Sequence, residues 1–560
     1  MRKIRFIILV TLLLPGVLSG QSRLRERVYV STDREVYVAG DAVWMSAYCM
    51  DASSGKLSSF SKTAYVEIHS AAGMVQTAKI ALEGGRGGGR LMLPNTLPTG
   101  NYRLLAYTAL GASEEGFDPS VGARTLSVFN TFSNERVESG VKVVGQAPAA
   151  AALRQAGGLA VSAAAGDAGT AHITVTNNGS EAVSFNLGVR HEDGIPAPAD
   201  GRIADFVGSL HTLPAARGFD ASVVPEYEGE IIRARVTGTD AEGLESVKDK
   251  YAFISSPGDG QNIYTALIGA DGTATFFTSN IYGDQNMFLE IEDVNRDNIC
   301  HLEIISPFLN LEPGDIPELA LSPEYSETLE LRGVAMQLER NFNSDTLYSA
   351  LPARQHKVLD PQSCKSYILD DYTRFPVMED IFIEFIPEIR VRQVNGKREL
   401  QLLVTDQRGH FRLQQGMSLI LLDGVPVLDQ EKVFSYDPLL VKRIDIYPDS
   451  YFVGIRGFSG IVNFVTYQGT LPSMAFEDNV RIVDFQGTSY PLAYTCEGVS
   501  NEYPDFRQTL LWHPLLTLEP GESMEMECKM PVYTGRFEAV AEGITYSGFA
   551  VMANSAFTIQ

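Results

Sequence analysis

Residues 417–466 constrain the fold of this chain more than any other part of its sequence. An apolar run at residues 419–422 ends at the turn pair Asp423-Gly424. A second apolar strand carries Ile444 and Ile446. Three glycines follow, Gly454, Gly457 and Gly460, and then a third strand at residues 461–466. An Asp-Gly pair between apolar runs is turn chemistry, because both residues accept the backbone conformations of tight turns. The pattern therefore predicts buried strands joined by short connections.

This order of features resembles the plug domain of TonB-dependent outer-membrane transporters, especially the large nutrient importers of Bacteroidetes. The resemblance implies a plug-like α/β domain over residues 376–470. A helix is predicted at its entry, since residues 377–386 carry apolar side chains at helical spacing after Pro376. A transporter plug sits inside a barrel of about 22 strands, each of about 10 residues. Only 560 − 466 = 94 residues follow Thr466, so we expect the plug-like domain without its barrel.

The turn that follows the first apolar run is the candidate partner-binding site. It consists of Asp423, Gly424, Val425, Pro426 and Val427. These residue types indicate a structural turn first. The resemblance to transporter plugs adds the hypothesis that the turn contacts a partner barrel or another envelope protein.

The N-terminus has the pattern of a secretory signal peptide over residues 1–20. Its basic start contains Arg2, Lys3 and Arg5, and its apolar segment spans residues 6–14. Ser19-Gly20 supplies small residues for cleavage. No later run of about 18 apolar residues indicates a transmembrane helix. We expect an exported protein, in the periplasm or associated with the outer membrane.

The charge balance is strongly acidic. The chain has a formal net charge of −24, and removal of the three basic residues of the signal segment gives −24 − 3 = −27. Such a protein repels nucleic acid and anionic lipid headgroups. We therefore expect no nucleic-acid partner. The charge is spread along the chain, as in proteins whose acidic surface serves solubility.

Residues 22–130 have the pattern of a β-sandwich, with short apolar strands between regular turn signals. Asp33-Arg34, Tyr37 and Gly40-Asp41 resemble the opening of a macroglobulin-type (MG2) domain. The segment LPTGNYRLLAYT at residues 97–108 resembles the closing strand of the same domain. This resemblance implies a structural module and brings no catalytic residue with it.

The expected fold class is mainly β, with tandem Ig-like or macroglobulin-type sandwiches and one plug-like α/β domain. A second sandwich is predicted from strands at residues 172–175 and 183–189 with a return near Val207. Residues 505–514, DFRQTLLWHP, resemble a closing motif of exported Bacteroidetes proteins that carry both MG2 and plug-like units. The predicted units are a signal peptide (1–20), an MG2-like sandwich (22–130), an Ig-like sandwich (145–220) and an Ig-like or carboxypeptidase-regulatory-like domain (225–310). They are followed by a linker with short helices (311–375), the plug-like domain (376–470) and a C-terminal sandwich (471–560).

The five cysteines do not support covalent trapping of proteases. Macroglobulins that trap proteases use a thioester between a Cys and a Gln three residues later, and no cysteine of this chain has that Gln. An oxidising compartment permits disulfides, but the number is odd. Cys496 and Cys528 fall in one predicted β domain; either they pair, or they are small buried apolar residues.

Other motifs fall short of the chemistry that they suggest. Ser459 lacks the spacing and the strand-to-helix turn of a nucleophile elbow. Asp293, Asn295 and Asp297 alternate as in a calcium loop, but the later ligands of an EF-hand are missing. The glycine-rich residues 84–90 lack the lysine of a phosphate loop, so we expect a flexible hairpin there. We predict no catalytic residue, cofactor or metal ligand.

The leading hypothesis is a non-enzymatic interaction or scaffold protein of the cell envelope, accessory to an outer-membrane import or assembly machine. One alternative is a macroglobulin-like defence factor that binds proteases without a thioester. It requires a protease-sensitive segment, for which residues 145–165 and 311–375 are the candidates. A second alternative is a glycan- or nutrient-binding module. It requires an exposed aromatic cluster, and the sequence shows none at clear spacing.

Overall fold

The computed structural model describes residues 24–148, 155–166, 169–258, 262–279, 281–292, 300–342, 348–352, 359, 361–394, 396–405, 411–413, 416–494 and 504–560. The predicted signal peptide, the acidic loop at residues 293–297 and Cys496 lie outside the described residues.

The secondary structure is dominated by strands. The first strands are β1 Glu26–Thr32, β2 Val36–Val38, β3 Ala42–Asp51, β4 Lys56–Leu57, β5 Thr63–Ser70, β6 Gly73–Ala81, β7 Arg86–Met92, β8 Gly100–Tyr107, β9 Arg124–Phe129 and β10 Val141–Val143. They are followed by β11 Leu159–Ala165, β12 Thr170–Asn177, β13 Val183–His191, β14 Ile231–Thr237, β15 Tyr251–Ser255, β16 Ile263–Leu267, β17 Thr273–Phe277, β18 Gln285–Ile291, β19 His301–Ile304 and β20 Leu319–Leu321.

The remaining strands are β21 Tyr348–Ala350, β22 Lys365–Ile368, β23 Ile389–Val394, β24 Lys397–Thr405, β25 Phe411–Leu413, β26 Leu419–Leu422, β27 Val425–Pro426, β28 Val441–Val453, β29 Arg456–Thr466, β30 Arg481–Phe485, β31 Leu492–Tyr494, β32 Thr509–Leu518, β33 Ser523–Lys529, β34 Gly535–Thr545 and β35 Ala550–Ile559. The helices are α1 Ala109–Ala112, α2 Ile203–Leu210, α3 Ala241–Val247, α4 Ser326–Phe342, α5 Met378–Phe385 and α6 Glu431–Ser435. Short 3₁₀ helices lie at Pro323–Tyr325, Pro361–Ser363, Leu369–Asp371 and Pro438–Leu440.

The first unit is a two-sheet sandwich, as the alternating pattern of residues 22–130 predicts. One sheet has the order β1-β3-β4 with β7 also paired to β3, and the other has the order β2-β9-β8-β5-β6. Alternate residues of both sheets, such as Val30, Met45, Ile68 and Leu104, form the buried core between them.

The glycine-rich residues 84–90 are not a flexible hairpin; most of them belong to β7, which is paired along its length with β3. The reason is close packing. A Cβ atom on Gly88 would lie 2.8 Å from a side-chain carbon of Pro514, and one on Gly87 would lie 2.3 Å from the carbonyl oxygen of Ala81. The glycines let a distant part of the chain pack directly on this strand.

The second sandwich combines two segments that the sequence analysis assigned to separate units. One sheet is β11-β12-β33, and the other is β21-β31-β32-β13-β34-β35. Strand β13 lies between β32 and β34, so residues from the predicted units 145–220 and 471–560 share one core. The reason is that β13 has two antiparallel neighbours and both come from the C-terminal segment. The predicted return strand near Val207 is instead the helix α2.

The third unit is a smaller sandwich over residues 231–304 that also takes in a C-terminal strand. Its sheets have the orders β17-β14-β19 and β16-β15-β18-β30. Strand β30 was expected in the terminal domain, but it pairs with β18 and its Phe485 is buried in this core.

The fourth unit is an α/β arrangement. Its sheet has the order β22-β28-β29-β26-β27, with β26 parallel to β29. The helix predicted at residues 377–386 is α5, and it packs with α6 on one face of this sheet. On the other face, Leu419, Tyr447 and Ile461 pack against Phe253 and Ile263 of the third unit. The sheet is therefore covered on both sides.

The predicted fold class is confirmed: the protein is mainly β, with sandwiches and one α/β unit. Within the described residues, no helix combines the length and the apolar composition that crossing a membrane requires.

Candidate functional site

The two motifs at opposite ends of the sequence lie against each other in the structure. The hydroxyl of Thr509, in β32, donates a hydrogen bond of 2.6 Å to Oδ2 of Asp33, and the two residues are 476 positions apart. We call this region the joint: the opening motif, residues 33–41, together with the closing motif, residues 505–514. It connects the first and second sandwiches.

The opening motif is a buried network around one carboxylate. Oδ1 of Asp33 accepts hydrogen bonds from the Tyr37 hydroxyl at 2.8 Å and from the Trp44 backbone N–H at 3.1 Å. The guanidinium of Arg34 lies 3.2 Å from Asp33 and 3.4 Å from Asp41. A carboxylate with this many donors is held in a single position. The motif therefore fixes the turn between β1 and β3.

The closing motif has a comparable network. Arg507 makes a two-pronged ion pair with Asp505, with nitrogen-to-oxygen distances of 2.8 and 2.7 Å. The same guanidinium donates to the carbonyl oxygens of Leu510 and Lys529. The Arg507 side chain is almost completely buried, so its charge depends on these acceptors. They anchor the start of β32 to the end of β33.

Apolar and backbone contacts extend the joint. The Ser46 hydroxyl donates a 2.8 Å hydrogen bond to the carbonyl oxygen of Pro514. Trp44 of the first sandwich and Tyr494 and Trp512 of the second form one buried aromatic cluster, in which the rings of Trp44 and Tyr494 are 5.2 Å apart. Aromatic pairs at such distances contribute beyond their buried area.

Helix α4 covers the joint from the outside. Arg332 donates to the carbonyl oxygen of Val36 at 2.6 Å and pairs with Asp193 of the second sandwich. The Tyr494 hydroxyl donates to Glu339 at 3.3 Å. Burial raises the pKa of Glu339 to about 6, although Arg34 opposes that shift. The helix thus contacts both sandwiches through buried charges.

A polar cavity of about 420 Å³ lies beside the joint. Its charged lining includes Glu35, Arg124, Arg190, Asp193, Arg332 and Glu538. Glu35 lies 2.7 Å from Arg190 and 3.5 Å from Arg124, and Arg190 also reaches Glu538 at 3.5 Å. Burial would raise the pKa of Glu35, but Arg190 and Arg124 lower it below its ordinary value.

Each of the six named charges has an opposite charge beside it, and the pair of Glu35 with Arg190 connects the first sandwich to the second. Among the residues that the structure describes, no three His, Cys, Asp or Glu side chains are grouped as metal ligands would be.

The predicted partner-binding residues Asp423, Gly424, Val425, Pro426 and Val427 are all buried. Asp423 has φ of +47°, which the turn requires. Its carboxylate accepts hydrogen bonds from the Thr466 backbone at 2.7 Å, the Thr466 hydroxyl at 2.7 Å and the Leu471 backbone at 2.8 Å. In this conformation the turn has no side-chain surface to offer a partner. We therefore assign it a structural role.

Other candidate residues also have structural positions. Ser459 lies within β29 and not at a strand-to-helix turn. Cys49, Cys300 and Cys528 are buried, and burial raises the pKa of the Cys49 thiol. The proposed pairing of Cys496 with Cys528 involves a residue outside the described part of the chain.

The sequence analysis does not predict the joint, because it treats its two motifs as separate family resemblances. The one signal in the sequence is that each motif contains an acidic and a basic residue at close spacing, Asp33-Arg34 and Asp505-x-Arg507, next to predicted strands.

No family model matches this chain, and neither does any curated protein sequence. Among solved structures, similar ones include the trypsin-activated alpha-2-macroglobulin of Escherichia coli, at 9% identity over 96% of this chain and 42% of that chain, with a TM-score of 0.23. The Salmonella alpha-2-macroglobulin reacted with methylamine is 8% identical over 96% of this chain and 40% of that chain, with a TM-score of 0.23. The Escherichia coli adhesin FdeC is 12% identical over 47% of this chain and 58% of that chain, with a TM-score of 0.15. This chain spans less than half the length of the two macroglobulins, and likenesses with such TM-scores carry no argument about its function.

Proposed function

We propose that this protein is a non-enzymatic interaction or scaffold protein of the cell envelope, accessory to an outer-membrane import or assembly machine. The observation that carries the proposal is the joint. It connects the first and second sandwiches through buried, mutually neutralised polar groups.

Buried ion pairs add little net stability, but the loss of one partner costs about 3–5 kcal/mol. Arg190 of the second sandwich lies 2.7 Å from Glu35 of the first, and Thr509 of the second donates to Asp33 of the first, so separating the sandwiches leaves these groups without their partners. Such contacts favour a single relative orientation of the two sandwiches. A protein that positions other proteins needs this property more than a binding module that acts alone.

The place of action is supported by the sequence. The signal-peptide pattern of residues 1–20 supports export. The resemblance of residues 376–470 to transporter plugs supports a partner in the outer membrane. The corresponding α/β unit has its turn at residues 423–427 buried, so a partner would contact other surfaces of this unit.

The test is co-purification from native membranes. The protein is tagged at its C-terminus, whole cells are crosslinked, the envelope is solubilised, and captured proteins are identified. We expect a specific outer-membrane protein with the unmodified chain. Arg190→Met, which removes the ion pair with Glu35 between the two sandwiches, should reduce its recovery, whereas Arg536→Met, at a largely exposed ion pair with Glu192, should not.

Two outcomes would overturn the proposal. One is a specific hydrolytic activity of the purified protein that a point mutation removes. The other is a monomer free in the periplasm that proteases cleave at residues 145–165 or 311–375, with the protease then retained. That second result would support the protease-binding alternative.

A further inference from the structure

A second cavity lies where the first, second and third units meet. The segment at residues 487–491 passes between them. The Ser489 backbone N–H donates to the Lys79 carbonyl oxygen at 2.7 Å, and the Gly283 N–H donates to the Thr488 carbonyl oxygen at 2.9 Å. The segment is therefore held by backbone hydrogen bonds to two different units.

This arrangement brings distant tyrosines together. The rings of Tyr282 and Tyr490 are stacked, with centroids 5.0 Å apart and an angle of 20° between their planes. Tyr282 and Tyr227, the latter 51% exposed, both line the cavity, whereas Tyr490 supports the Tyr282 ring and is not part of the lining. These residues are separated in sequence by 282 − 227 = 55 and 490 − 282 = 208 positions. The fold thus places two tyrosines in one cavity, which the sequence does not show.

The cavity has a volume of about 270 Å³ and a balanced charge. Lys62 and Arg86 supply two cationic side chains, and Glu83 and Glu228 supply two carboxylates. Arg86 is oriented by hydrogen bonds to the Thr517 hydroxyl at 3.0 Å and the Leu516 carbonyl oxygen at 2.8 Å. Its Nε has no hydrogen-bond partner within the described residues.

We propose that this cavity binds a neutral saccharide of one or two rings. An aromatic ring packs against the apolar C–H face of a sugar, and Tyr282 and Tyr227 offer such rings in the cavity. Sugar hydroxyls both donate and accept hydrogen bonds, so they satisfy carboxylates and cations in one site. The volume of about 270 Å³ lies just below the usual range for ligand pockets, about 300–1,000 Å³, and so limits the ligand to one or two rings.

The lining favours a saccharide over a proline-rich peptide, which also binds aromatic grooves. Such a peptide presents carbonyl acceptors and few N–H donors, since proline has none. It would leave Glu83 and Glu228 without donors. An anionic sugar would meet these two carboxylates as well as the two cations, so it gains nothing from net charge.

This inference does not rest on the proposed function. It is tested with the full chain on an array of neutral and acidic oligosaccharides together with a decaproline peptide. Hits, and maltose, cellobiose and chitobiose in every case, are then titrated by calorimetry. We expect saturable binding of a neutral saccharide. Tyr282→Ala and Tyr227→Ala should each weaken it by about tenfold or more.

Two further variants separate binding from folding. Glu228→Gln removes a charge from an exposed side chain and should weaken binding severalfold without changing thermal stability. Tyr546→Ala, at a 73% exposed tyrosine in the turn between β34 and β35, should leave binding unchanged. The proposal is overturned if no saccharide binds saturably, if decaproline or an acidic sugar binds more tightly, or if the tyrosine variants bind like the unmodified chain.

Discussion

The Tyr29 hydroxyl donates a 3.0 Å hydrogen bond to the Glu542 carboxylate, across 513 positions of sequence and between two buried side chains. Together with the hydrogen bond from Thr509 to Asp33, this contact attaches β1 and the turn after it to the C-terminal strands β32 and β34.

Removal of the buried charge in the closing motif should strongly destabilise the protein. Arg507→Met leaves Asp505 buried without its cation, so we expect a loss of about 3–5 kcal/mol in the free energy of unfolding. Urea denaturation monitored by tryptophan fluorescence measures this, since Trp44 and Trp512 lie in the joint. Arg536→Met should change stability by less than about 0.5 kcal/mol. Equal effects of the two substitutions would contradict the assignment.

The turn of the α/β unit should behave as a structural element. Asp423→Ala removes the acceptor of three hydrogen bonds and should cost about 2–4 kcal/mol. Asp449→Ala, at an exposed position of β28, should be nearly neutral. Thermal unfolding of both variants measures this difference in stability. An Asp423→Ala variant of unchanged stability that loses an envelope partner would restore the contact hypothesis.

Two glycines with similar backbone angles should differ in their tolerance of a side chain. Gly521, with φ of +78°, has no atom near the position of a Cβ, so alanine should cost about 1–2 kcal/mol through its backbone alone. A Cβ on Gly548, with φ of +88°, would lie 1.6 Å from the carbonyl oxygen of Gly55.

Gly548→Ala should therefore cost several kcal/mol and separate the β34–β35 turn from the first sandwich. The comparison is made by denaturant unfolding of the two variants side by side. Equal costs would show that the close approach to Gly55 does not hold in solution.

A buried carboxyl should make stability depend on pH. Burial raises the pKa of Glu226 from 4.5 to about 7, while the Tyr65 hydroxyl and the Ile231 N–H oppose this and Glu230 adds to it. The folded state holds this proton more tightly than the unfolded state. The contribution of Glu226 to the free energy of unfolding is therefore fully present below pH 4.5, and it is lost as the pH rises towards 7.

Glu226→Gln keeps an acceptor for Tyr65 and removes the titration. We expect the variant to be more stable than the unmodified chain at pH 8, with a smaller loss of stability between pH 4.5 and 7. Each pKa unit corresponds to about 1.4 kcal/mol. Parallel pH profiles for the two proteins would show that Glu226 is not the responsible group.

Local patterns in the sequence predict local structure well. The apolar spacing after Pro376 identifies α5, and the run at residues 419–422 is β26. The helix α2 was predicted as strand, yet Ile203, Phe206, Val207 and Leu210 have the spacing of one helical face, and all four are buried. That signal was present in the sequence.

Pairing between distant segments is different. Strand β13 alternates in the same way whether its neighbours are close in sequence or more than 300 positions away, because alternation reports only which face is buried. The same reason hides the contact of Asp33 with Thr509 and the stacking of Tyr282 on Tyr490. Both depend on the tertiary arrangement, to which a single sequence gives no direct access.

The central claim is that the joint holds the first and second sandwiches in one orientation. It is tested most directly by electron-spin distance measurements between labels at Ser54 and Ser180, both exposed, introduced through a non-canonical amino acid so that the cysteines stay untouched. We expect one narrow distance distribution in the unmodified protein and a broadened one in a folded Thr509→Val, Arg190→Met variant, which loses two contacts between the sandwiches. A broad distribution in the unmodified protein would contradict it.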